Sequence, residues 1–241
     1  MVFRASRSSG ASFSGSTAAG ATVTGAITAQ RDTSLPNVNL TMANLVAAQL
    51  FYPVNAHLTV LYHPSTGAIH SASTYQVVSQ FNYKGGGAFD YSPGLSNLAG
   101  GAFTEAMKVT APDANFIRYQ TSFGGTPVTL DLYKPSGANS ELALSYATFG
   151  HWSSTFQDGF YRNTTQSFFT YGLDTSPGLL AARTGTATYR GIAYGAGANA
   201  AAKLEYDIKG SSRFDVDFTA QKFTALLALQ GVEKSGASAD F

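Results

Sequence analysis

From residue 54 onward, apolar and polar side chains alternate in short runs. His57-Leu58-Thr59-Val60-Leu61-Tyr62 is rich in residues that suit a pleated surface, and His63-Pro64-Ser65-Thr66-Gly67 supplies a turn before a return strand over 69–75. A further strand is expected over 75–81, with breaks at Lys84-Gly85-Gly86-Gly87 and Ser92-Pro93-Gly94. Residues 116–121 form another candidate. Over 126–133, Val128, Leu130 and Leu132 share one face, while Thr129, Asp131 and Tyr133 share the other. Leu142, Leu144 and Tyr146 alternate in the same way. In 167–172, Phe169 and Tyr171 oppose Phe168. Residues 185–191 read as a strand between glycines. Leu204, Tyr206 and Ile208, then Phe214, Val216 and Phe218, then Phe223, Ala225, Leu227 and Leu229 give three more alternating runs. Consecutive strands of this kind predict an all-β chain built of antiparallel sheets with one wet face.

Residues 1–25 break the pattern, with Gly10, Gly15, Gly20 and Gly25 spaced among Ser, Thr and Ala. Side chains this small bury little area, so 1–30 is predicted to be a flexible leader. One short helix is predicted over 41–50, stopped by Pro53. The break at Lys134-Pro135-Ser136-Gly137-Ala138-Asn139 places a domain boundary between a β-rich subdomain over 31–138 and a barrel over 139–241.

Composition narrows the function. The 241 residues carry a net charge of +1 and only 12% charged side chains, which leaves no basic footprint for nucleic acid. Without cysteine there is no disulfide scaffold, thiolate metal site or Cys nucleophile. No apolar run is long enough for a transmembrane helix. Arg4 and Arg7 precede no apolar stretch, so no signal peptide or lipidation Cys is expected in the chain as written.

Candidate chemistry is sparse. His57, His63 and His70 surround one hairpin, which could gather two of them as metal or haem ligands, but no Asp/Glu cluster joins them at ligand spacing. Asp215 and Asp217 are neighbours on one strand face, which reads more simply as a solvated face than as a catalytic pair across a substrate. There is no Gly-x-Ser-x-Gly elbow, and Gly195-Ala196-Gly197 is a lone Gly-x-Gly. Asn39-Leu40-Thr41 and Asn163-Thr164-Thr165 match the glycosylation pattern, which matters only in a eukaryotic secretory setting. No catalytic or metal set is assigned. A ligand-binding surface is expected from His151 and Trp152 at a strand end, with Phe156, Phe160, Tyr161 and Arg162 around a polar loop. Aromatics and Arg are the residues that dominate binding hot spots.

Four stretches carry a resemblance. Leu142-Ala143-Leu144-Ser145-Tyr146-Ala147-Thr148-Phe149-Gly150-His151-Trp152 is followed in order by Phe168-Phe169-Thr170-Tyr171-Gly172. Next come Gly185-Thr186-Ala187-Thr188-Tyr189-Arg190-Gly191 and Phe214-Asp215-Val216-Asp217-Phe218. Together they resemble the β-barrel domain of the transferrin-binding protein B-like family over about residues 126–229. The resemblance implies a β-rich handle followed by a nominally eight-stranded antiparallel barrel. Here the later strands are missing, so the barrel is expected to be incomplete at its C-terminal side. It also implies a non-enzymatic surface protein of Gram-negative bacteria, at the outer membrane or outside the cell. The implied partner is a protein ligand such as an iron or haem carrier, with haem itself as a cofactor left open. The alternative is a membrane-spanning outer-membrane barrel, which needs apolar lipid-facing bands on its strands.

Overall fold

The computed structural model describes residues 8–31, 54–85, 88–92, 101–134, 140–142, 147–172, 178, 181–234 and 238–240. The fold is all-β, with curled antiparallel sheets that include a half-barrel. The predicted helix over 41–50 and the strand positions 143–146 lie outside the described residues.

Sheet I draws on both ends of the chain. It holds β1 (Ser8–Ser16), β2 (Thr22–Arg31), β13 (Thr186–Asn199), β14 (Leu204–Asp217), β15 (Lys222–Glu233) and β16 (Ser238–Asp240), in the order β1-β2-β13-β14-β15-β16. Sheet II comes from the middle of the chain. It holds β3 (Val54–Tyr62), β4 (Ile69–Val78), β8 (Lys108–Val109), β9 (Phe116–Phe123), β10 (Thr126–Tyr133), β11 (Ala147–Asp158) and β12 (Tyr161–Gly172), in the order β4-β3-β12-β11-β10-β9-β8. A small sheet III joins β5 (Gln80–Gly85), β6 (Ala88–Ser92) and β7 (Gly101–Phe103).

Alternation assigns each strand face to a core. In sheet I, Phe13, Val23, Ile27, Tyr189, Tyr206 and Phe214 pack together on one face of the sheet as a single core. The opposite face of the same strands presents Ala26, Ala196 and Ala198 to Leu58, Val60, Tyr62, Tyr133, Phe149 and Phe168 of sheet II. The far face of sheet II packs Leu130, Trp152 and Phe169 against Tyr91 and Phe103 of sheet III. Large side chains buried this way each contribute about 1.5–3 kcal/mol.

Three expectations are corrected. Residues 8–31 are no flexible leader: they form the β1–β2 hairpin, pair along β13, and bury Ala26 and Ile27 completely. Their small side chains serve close approach between backbones. Gly25 lies opposite Gly195, and a Cβ on Gly25 would fall 2.2 Å from the Tyr194 carbonyl oxygen. The sheets also do not divide at 138/139. β11 pairs with β10 and β12 pairs with β3, so sheet II crosses that point. In addition, the two strands expected over 204–219 are one, continuous through Gly210, where the carbonyl oxygen of Ala228 leaves no room for a side chain.

Candidate functional site

Pairing of β12 with β3 sets Arg162 opposite Tyr62, so two hairpin tips lie side by side. One is the turn between β3 and β4, closed by His63 N–H donating to the Ala68 carbonyl at 2.9 Å and Gly67 N–H donating to the His63 carbonyl at 2.8 Å. The other is the turn at Gly159 and Phe160 between β11 and β12. Gly67 and Gly159 take positive φ, which both tight turns require.

The paired tips gather aromatic and cationic groups. Phe160 is 84% exposed, an unusual position for a phenyl ring. Tyr161 stacks on His70 with centroids 4.7 Å apart, and His70 meets His63 with ring nitrogens 3.2 Å apart. The Arg162 guanidinium lies 4.1 Å from the centre of the Tyr62 ring. The Tyr62 hydroxyl donates to Glu205 at 2.5 Å, and Lys234 binds the other oxygen of that carboxylate at 2.6 Å. Burial, then the bonded Glu205 carboxylate, pushes the Tyr62 hydroxyl far above its ordinary range. Tyr62 therefore stays neutral and acts as a donor strut between sheets II and I.

Around the sheet II face that meets sheet I runs a polar groove of about 270 Å³, lined by Thr129, His151, Thr155, Thr164, Gln166 and Lys234. At its inner end Asp131 accepts two hydrogen bonds from Arg118, at 2.6 and 2.7 Å, and lies 3.6 Å from His151 Nδ1. Burial alone would raise the Asp131 carboxyl. The two bonds from Arg118, with the nearby His151 imidazole adding to them, outweigh it and hold the carboxyl below the ordinary carboxylate range. His151 stacks on Phe168 at 4.4 Å, and its Nε2 has no hydrogen-bond partner.

The opposite face of sheet II carries a buried polar strip. Asn55, His57 and Ser154 have side-chain atoms without hydrogen-bond partners, as does Trp152 Nε1. His57 is fully buried and stacks on Tyr75 at 5.1 Å. Burial lowers its pKa from 6.5 to about 4.

The residues expected to bind ligand therefore separate. Phe160, Tyr161 and Arg162 meet at the tips, joined by His63 and His70. His151 lines the groove instead. Trp152 is 1% exposed and belongs to the core, and Phe156, partly buried, packs against that same core rather than joining the tips. Alternation explains the split: Trp152 pairs with Leu130, whose side chain faces inward. Asp215 and Asp217 have structural partners, the first Arg213 and Thr188, the second the Ala220 N–H of the following turn. Arg118 and Asp131 escaped the sequence reading, although the tight turn at Gly124-Gly125 fixes a register that sets them opposite each other.

These features define a layered all-β protein whose most exposed aromatic ring, among the described residues, sits on a pair of hairpin tips. No family model, no curated protein and no solved structure matches the chain.

Proposed function

We propose that the chain is a non-enzymatic binding module of the transferrin-binding protein-like type, acting at a bacterial cell surface, and that the paired hairpin tips contact its protein ligand. The observation that carries this reading is the exposure of Phe160 at 84% beside Tyr161 and Arg162. An aromatic anchor next to Arg is the usual chemistry of a binding hot spot, and the sheet pairing behind it holds the tips in place. The outer-membrane alternative has less support. The outward positions of β14 include Asp207, Lys209, Arg213 and Asp215, costly side chains on a lipid-facing strand.

The test is capture from host serum, including transferrin, on the immobilised full chain beside a Phe160→Ser/Arg162→Ala variant. A partner retained by the native chain and lost by the variant supports the assignment. Equal retention by both places contact elsewhere. Adding hemin to a thermal melt tests the cofactor separately, since a ligand of the folded state raises the midpoint.

A further inference from the structure

The β3–β4 hairpin tip brings two imidazole nitrogens close enough to share a proton or to bond one ion. His63 Nε2 and His70 Nδ1 are 3.2 Å apart, while the ring centroids are 4.8 Å apart with planes at 75°. A straight N–H···N bond of that length would hold the centroids about 5.5 Å apart, because both rings would extend away along one line. Here the rings are bent toward each other, an arrangement that leaves room for one ion beside the line that joins the two nitrogens. An ion bonded to both nitrogens at about 2.0–2.1 Å would see them about 100–105° apart, with centroids about 5 Å apart. This matches the observed pair. Tyr161 fixes the arrangement from the neighbouring strand, stacking on His70 at 4.7 Å and contacting His63 at 5.7 Å. Both histidines are exposed, so water can complete the coordination.

We propose that His63 and His70 form a surface site for a borderline divalent transition-metal ion, of the class of Zn²⁺, Cu²⁺ or Ni²⁺. Imidazole pairs favour these ions, whereas Mg²⁺ and Ca²⁺ need oxygen ligands. Binding displaces any proton shared between the two nitrogens and leaves at least two positions for water or for a donor on a bound molecule. The same spacing does not suit the two faces of a haem, whose axial nitrogens lie on opposite sides of the iron. The site stands independently of the binding role proposed for the tips.

The test is calorimetric titration of the full chain with ZnCl₂, and with MgCl₂ as a control. One Zn²⁺ per chain is expected, with no response to Mg²⁺. His63→Ala and His70→Ala should each weaken the affinity at least about tenfold, the scale of ligand-set defects in metal sites. His151→Ala should leave it unchanged. In the native chain, imidazole ¹⁵N spectra should show the ion on Nε2 of His63 and Nδ1 of His70, a readout that needs no variant to fold. Absence of Zn²⁺ binding at millimolar concentration, unchanged affinity in both alanine variants, or bonding to other nitrogens would each overturn the proposal.

Discussion

His57 offers the sharpest probe of the interior. It is fully buried in β3, neither ring nitrogen has a hydrogen-bond partner, and burial lowers its pKa from 6.5 to about 4. Between pH 6.5 and 4 the unfolded chain holds a proton on this imidazole that the folded chain does not. Stability therefore falls as pH falls through this window. A fall from 6.5 to about 4, at 1.36 kcal/mol for each tenfold in proton affinity, amounts to about 3 kcal/mol. His57→Phe keeps an aromatic ring against Tyr75 and removes the titration. Trp152, the one Trp in the chain and a core residue, reports unfolding by fluorescence. Urea denaturation at intervals from pH 7 to 4 should show the native chain losing about 3 kcal/mol more than the variant. Asp131 and Glu141 are held below the ordinary carboxylate range, so their contributions begin to fade as the pH drops through the unfolded carboxylate range, but the native chain and the variant share that loss and it cancels in the comparison. Parallel curves for the two proteins would refute the reasoning and mean that His57 carries its proton, or a partner, inside the fold.

Two other substitutions test the packing. Arg118→Met strands the buried Asp131 carboxylate; with Arg118 itself 26% exposed to screening solvent, urea denaturation at pH 7 should show a loss of about 2–3 kcal/mol. That gap should narrow on acidification, because the native chain loses the pair as Asp131 protonates, whereas in the variant protonation relieves a buried charge. Gly150→Ala would set a Cβ 2.3 Å from Cζ of Phe169, whose ring covers the glycine. A cost of about 1–3 kcal/mol in chemical denaturation is expected, and it should shrink when Phe169→Leu is introduced in the same chain.

Much of the strand order was legible because alternation is a direct record of which face is buried. The predicted strand over 126–133 coincides with β10, and Val128, Leu130 and Leu132 do face the core. The turn at 63–67 likewise joins β3 to β4 where expected. The N-terminal hairpin was not legible for a physical reason. Ala26 lies where two sheets pack and Gly25 where the paired β13 backbone comes close, and both look the same in sequence whether they serve close packing or flexibility. The two runs over 204–219 join through Gly210 because that glycine admits the Ala228 carbonyl, a contact with the neighbouring strand that neither run records. At the candidate site, the gathering of two hairpin histidines was foreseeable from the turn between them. The contribution of Tyr161 to that pair was not, because it depends on β12 lying beside β3, a pairing set by contacts distant in sequence.

The pairing of β2 with β13 joins Thr22–Arg31 to Thr186–Asn199. This has a kinetic consequence. As the chain emerges from the ribosome, the first hairpin must wait for more than half of the polypeptide before its long-range partner exists. Closing so large a loop is costly in entropy and is repaid only once sheet I zips together. Slow folding, with the middle sheet assembled before the two chain ends meet across it, follows from that single seam.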